Sequence, residues 1–114
     1  MIYLASPYSH DDPDVKVDRF ERACKQAALM MRHGLVVFSP IAHSHPISQY
    51  LGGDQGLKFW LKQDLHLLRR CEEMWVLTLD GWKISNGVNA EVELAMSMGI
   101  PIFKIDEGSV ESYG

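Results

Sequence analysis

Leu79-Asp80-Gly81-Trp82-Lys83-Ile84-Ser85-Asn86-Gly87-Val88-Asn89-Ala90-Glu91 links two different patterns. Before it runs Met74-Trp75-Val76-Leu77-Thr78-Leu79, a short apolar stretch that reads as a buried strand. After it, Gly87–Met98 reads as a helix with an apolar stripe. The linking stretch is then a strand-to-helix loop. Ser85 is placed to cap the helix, and Gly87 lets the backbone approach a ligand closely. A helix N-terminus that follows a strand is a ready site for an anion. Plain capping explains Ser85 equally well, so the Ser-x-Gly pattern gains weight only from Glu91 further along the same helix.

Outward from this stretch the same alternation recurs. Ile2-Tyr3-Leu4-Ala5 reads as a first strand, Ser6–Asp14 as a loop, and Val15 to His33 as a helix closed by Gly34. Leu35–Phe38 is a second strand. Ser39 to Gly56 is the least regular part, with a short helix near Ile47–Leu51. Leu57–Arg70 is a further helix, Gly99-Ile100-Pro101 a turn, and Ile102–Ile105 a fourth strand. Asp106–Gly114 is a polar tail, expected to be poorly ordered or used by a partner subunit. Strands alternating with helices predict a single α/β layer domain with a mostly parallel sheet. Ligands in such sheets bind beyond the carboxyl ends of the strands.

Composition narrows the partners. At 114 residues, with 46% hydrophobic and 23% charged residues, the chain suits one soluble domain with one core. Its net charge of −4 argues against a duplex nucleic-acid binder, which needs a basic surface. No apolar run is long enough for a membrane span, and no signal peptide is recognisable. Cys24 and Cys71 have neither the spacing nor the neighbours of a zinc site, and read as reduced core thiols on apolar helix faces. A cytoplasmic location is expected.

Two carboxylates fall where they should be uncomfortable. On the helix Gly87–Met98, Glu91 lies in the stripe formed by Val88, Val92, Ala95 and Met98, whereas Glu93 lies opposite. On Leu57–Arg70, Asp64 falls near the centre of the stripe of Leu57, Trp60, Leu61, Leu65 and Leu68. A lone buried carboxylate costs several kcal/mol unless it is paired or reaches a cavity. A tie to a helix N-terminus or a buried arginine would satisfy either one alone. Two together point to a shared polar cavity, the setting in which acid, base and nucleophile roles arise.

Other candidates are weaker. Tyr3, in a buried strand, is explained by core packing with a satisfied hydroxyl. His43 and His45 are a poor metal signature at i, i+2 without a third ligand, so no metal is expected; a pocket-lining hydrogen-bond role stays open. Trp82 could stack on an aromatic base or seal a subunit contact, while Trp60 and Trp75 read as core.

Tyr3-Leu4-Ala5-Ser6-Pro7-Tyr8, Asp64 in a Trp/Leu-rich helix, and Gly81–Glu91 followed by Ala95, Gly99 and Pro101 resemble the nucleoside 2-deoxyribosyltransferase superfamily. That group includes deoxynucleoside 5′-monophosphate N-glycosidases and a bacterial family of unknown function. The resemblance covers roughly residues 1–105. It implies a three-layer flavodoxin-like or Rossmann-like sandwich with a four- to five-stranded sheet, and a homo-oligomer, dimer or tetramer. It also implies cleavage of an N-glycosidic bond in a nucleoside or nucleoside 5′-monophosphate, by hydrolysis or transfer, without a cofactor. Glu91 matches the nucleophile that attacks C1′, and Asp64 the carboxylate that protonates the departing base or holds the sugar. Tyr3 matches the residue that orients the nucleophile, which reverses its bland reading. Ser85 and Gly87 match a phosphate-binding loop with Ser6 beside it. Tyr8, His43 and Trp82 become further substrate contacts. One departure counts against 5′-phosphate recognition: Ser6-Pro7-Tyr8-Ser9-His10-Asp11 lacks the arginine of the monophosphate enzymes. Alternatives are a non-catalytic nucleotide-binding module on the same fold, or a hydrolase of a non-nucleoside N-riboside.

Overall fold

β1, Ile2–Ala5, has no polar side chain apart from one tyrosine hydroxyl, and all four of its residues are buried. A strand covered on both faces belongs in the middle of a sheet. In the computed structural model, which describes residues 1–114, β1 pairs on one edge with β2, Val37–Phe38, and on the other with β3, Glu73–Leu77. β4, Ile102–Ile105, completes a four-stranded sheet of order β2-β1-β3-β4, parallel throughout. The helices are α1, Pro13–Arg32; α2, Pro40–Ser48; α3, Gly56–Leu68; and α4, Asn86–Ser97.

The two-residue period of β1 divides the core. Ile2 and Leu4 join Ala27 and Met30 of α1, together with Val37, Leu77 and Ile105. Tyr3 and Ala5 join Leu68 of α3, Val88 and Ala95 of α4, and Met74 and Val76. The expected three-layer α/β sandwich of flavodoxin-like type is thus the architecture found. No helix is long and apolar enough to cross a membrane.

Element boundaries moved for identifiable reasons. α1 starts at Pro13 rather than Val15 because Asp12 accepts a hydrogen bond from the Asp14 amide, with proline at the first helical position. The larger correction is α2. Pro40–Ser48 is helical where an irregular segment was expected, and the helix lies earlier than the one expected near Ile47–Leu51, overlapping it only at Ile47 and Ser48. Ser39 caps it through the Ala42 amide at 3.2 Å, and Pro40 opens it. The segment holds two prolines: the first is a start signal and the second falls near the end.

The tail is also corrected. Tyr113 forms an antiparallel bridge with Lys104. The buried Gln26 donates to the Ser109 carbonyl and accepts from the Gly108 amide, each at 2.8 Å. Residues 106–114 are therefore bound to their own domain and cover the β4 edge. Both cysteines are free thiols: Cys71 is buried just past the end of α3, and Cys24 is half-buried on α1.

Candidate functional site

The chain runs from β1 outward to β2, then crosses back to β3 on the far side of β1. The loops after β1 and β3 therefore leave the carboxyl edge in opposite directions and open a crevice between them. One arginine ties the two loops. Arg19 of α1 donates to the carbonyl of Ser9 at 2.9 Å and to that of Asp80 at 3.2 Å. Beside it Gly81 has φ +87°, and a Cβ there would lie 2.9 Å from the Arg19 guanidinium. Gly81 therefore suits both the backbone and the staple.

A cavity of about 380 Å³ opens at this crevice. The first loop contributes Ser6 and Tyr8; α3 contributes Leu57, Trp60, Leu61 and Asp64; the start of α4 contributes Ser85, Gly87 and Glu91. Ile41, Ser44 and Ser48 of α2 and Lys16 of α1 complete much of the wall. The two misplaced carboxylates thus do share a cavity. Trp60 is corrected by the same finding: it is half-buried and faces the cavity, whereas Trp75 is in the core.

Glu91 is 5% exposed, and the Tyr3 hydroxyl donates a hydrogen bond to it. Tyr3 is fully buried, with its ring against Phe38 at 5.8 Å between centroids. Tyr3 reaches Glu91 because β1 sends it to the face that α4 covers, one residue before Leu4 goes the other way. Burial pushes Glu91 up from 4.5 to about 8; the Tyr3 hydrogen bond opposes the rise and the Asp64 charge adds to it. Burial likewise raises Asp64 from 3.8 to about 6, with Tyr3 again favouring the charged form. The Tyr3 phenol is held far above its usual range, by burial first and then by both carboxylates. Two acids on one tyrosine titrate as a pair, and between these values the pair carries one proton.

Ser85 does cap α4: its hydroxyl accepts from the Val88 amide at 3.2 Å. Gly87 has an ordinary helical role, and an added Cβ would meet no protein atom closer than 3.9 Å. A side chain there would intrude only on the cavity. Ser6 is 3% exposed, and its hydroxyl is a buried polar group with no protein partner. A buried hydroxyl without a partner on a cavity wall is suited to a ligand's polar atom.

Two expected contacts do not reach the cavity. His43 is exposed, near Phe38 at 5.9 Å between ring centroids, because α2 turns it away from the site. Trp82 packs against the core beneath α4, with the Lys83 ammonium 5.6 Å from its ring centroid. The cause is the 3-10 turn Trp82–Ile84, entered through the left-handed Gly81, which aims the indole inward.

Two residues passed over in the sequence, and one of the two histidines weighed there, belong near the site. Lys16 lines the cavity; it lies four residues before Phe20, on the helix face that Phe20, Ala23 and Ala27 mark, a signal that was available. Ser44 lines it four residues after Pro40, a spacing visible only once α2 is known to be helical. His45, not His43, reaches the first loop: its Nδ1 lies 2.6 Å from the Tyr8 hydroxyl. No three metal-ligating side chains gather anywhere in the chain.

Residues 1–107 match the family described as a domain of unknown function, DUF1937, and the chain belongs to that family. No curated protein matches it.

Proposed function

We propose that this family member cleaves the N-glycosidic bond of a nucleoside or nucleoside 5′-monophosphate through a glycosyl-Glu91 intermediate. The observation that carries the reading is the Tyr3–Glu91 hydrogen bond on the wall of a cavity that also holds Asp64. In the first step a Glu91 oxygen bonds to C1′. The C1′–N bond breaks with its electron pair moving to the base, and Asp64 delivers a proton to the departing nitrogen. In the second step water or another base attacks C1′, the Asp64 carboxylate takes up the proton it releases, and Glu91 leaves as carboxylate.

The shape of the cavity supports this division of labour. Leu57, Trp60 and Leu61 offer an apolar, partly aromatic wall suited to a base. Ser6, Ser85 and Gly87 offer small polar groups suited to sugar or phosphate oxygens. The first loop has no arginine, yet Lys16 brings a positive charge to the same cavity from α1. Between about 6 and about 8 the pair holds one proton; the reacting form is the one with Asp64 protonated and Glu91 ionised, which the higher value of Glu91 makes the smaller share of the singly protonated pair.

The direct test is incubation with a panel of nucleosides and 5′-monophosphates, followed by chromatography for free base. Release by the wild-type chain and its loss in Glu91→Gln is the expected result. Ligand-induced thermal stabilisation without base release, even on long incubation, would instead identify a binding module. Release by Glu91→Gln at the wild-type rate would remove Glu91 from the nucleophile role.

A further inference from the structure

The histidine segment is the one prominent motif that the proposed chemistry leaves unused. Its second member is held on several sides. The His45 ring stacks on Phe20, with centroids 4.2 Å apart and planes 24° apart. Tyr8 meets it edge-on, at 5.6 Å and 78°. The Tyr8 hydroxyl and His45 Nδ1 are 2.6 Å apart, which is a hydrogen bond. Tyr8 itself lines the cavity, as does Ser48, whose hydroxyl is near enough to influence the phenol. The Ser48 proton is committed to the His45 carbonyl at 2.6 Å.

The direction of the Tyr8–His45 bond follows from acid–base chemistry. A phenol is a stronger donor than a neutral imidazole N–H. An unprotonated imidazole nitrogen is a far stronger acceptor than a phenol oxygen. The ring is kept neutral by its surroundings: burial, and then the Lys16 charge, hold His45 below its usual range. Burial pushes the Tyr8 phenol up; the Ser48 hydroxyl opposes the rise and the Asp54 charge adds to it, so the phenol stays protonated. The proton of Tyr8 therefore points at His45 Nδ1, and the phenol oxygen is left with only lone pairs to offer. The Lys16 ammonium, 5.8 Å from the Tyr8 ring centroid, sits against the ring rather than on the hydroxyl.

We propose that His45 is a positioning residue that fixes Tyr8 as a hydrogen-bond acceptor, so that this part of the cavity selects a ligand bearing a hydroxyl or amino donor. A sugar hydroxyl and an exocyclic amino group share that chemistry. A carbonyl or phosphate oxygen lacks it and meets lone pair against lone pair. The inference rests on the nucleoside reading only for the choice of probes.

The test has two arms. In the first, the imidazole ¹⁵N spectrum of His45 is recorded for the ligand-free chain and for Tyr8→Phe. Nδ1 is expected to be unprotonated, with Nε2 carrying the proton, and the Nδ1 signal should move when the phenol hydroxyl is removed. An Nδ1–H ring would overturn the proposal. In the second, Kd is measured on the Glu91→Gln background for 2′-deoxyadenosine and 2′-deoxycytidine 5′-monophosphates. Each is paired with a counterpart lacking the amino group and one lacking the 3′-hydroxyl. Tyr8→Phe and His45→Phe, the latter keeping the stack on Phe20, should each weaken binding about fivefold to tenfold. The double variant should be no worse than either single, and His45→Asn, which restores an acceptor, should recover most of the loss. The counterpart on which the variants have no effect identifies the donor as amino or hydroxyl. Equal weakening of every probe, no weakening of any, or additive losses would overturn the proposal. Binding without base release by the wild-type chain would sink the glycosidase reading alone and leave the role of His45 standing.

Discussion

Ile2 and Leu4 face α1 across a layer in which every clustered residue is apolar. Tyr3 and Ala5, their immediate neighbours, face α3 and α4, where a tyrosine hydroxyl and a buried carboxylate sit among the apolar groups. The same strand thus serves two different purposes. The α1 face gains from burial without a polar penalty. The opposite face keeps Glu91 at 5% exposure, where desolvation makes its charged form costly. One side of the sheet packs without a buried charge, while the other carries the cost of holding a buried carboxylate.

The sharpest way to break this comparison is Glu91→Gln. Base release should fall by roughly a thousandfold or more, measured by chromatography. Stability should move the other way. The Glu91 carboxyl is raised in the folded chain, from 4.5 to about 8. At pH below 4.5 both folded and unfolded forms hold the proton, and its stabilising contribution is fully present. As pH rises through about 8 that contribution is lost, because the unfolded chain releases the proton first. The glutamine variant cannot ionise there. In denaturant titrations it should match the wild type near pH 4 and exceed it at pH 8 by on the order of a few kcal/mol. Equal stability at pH 8 would mean that Glu91 is not under strain.

Leu4→Ala probes the other face. Leu4 is fully buried, and its truncation should cost about 2–5 kcal/mol in a denaturant titration. Activity per folded molecule should be nearly unchanged. A large loss of kcat in folded protein would show that the two faces are not independent.

Tyr3→Phe keeps the ring and removes only the hydrogen bond to Glu91. We expect kcat to fall about tenfold to a hundredfold, in the range of a lost charge-assisted hydrogen bond. The pH profile should shift as well. The wild-type pair bears one proton between about 6 and about 8, and the minor form with Glu91 ionised and Asp64 protonated is most populated there, so activity should be highest between those values. Tyr3 lowers the value of both acids, so its loss should move both limbs to higher pH. An unshifted profile would remove Tyr3 from the pair.

Smaller effects are expected from the loops. Gly81→Ala forces a side chain at φ +87° and brings its Cβ to 2.9 Å from Arg19. The cost should be about 1–3 kcal/mol, with a higher KM as the staple between the two loops shifts. Ser85→Ala removes the α4 cap and should cost about 1 kcal/mol. A much larger effect on KM than on stability would give that hydroxyl a ligand contact beyond the cap.

The strand and helix order, the parallel sheet and the two intruding carboxylates were legible in the chain itself. They are local patterns: apolar periods of two and of three to four, read within windows of a dozen or so residues. α2 was not legible because it holds two prolines, Pro40 and Pro46, and only their position within the helix decides whether they start or break it. Trp82 and His43 were misdirected by a left-handed glycine and by the unrecognised helix, respectively. What only the tertiary structure decided is which groups meet. Tyr3 and Glu91 are 88 residues apart in sequence, and Tyr8 and His45 are 37 apart. Amphipathic pattern places a side chain on a face, but the partner across that face is set by strand order and helix placement, which bring distant segments together around one crevice.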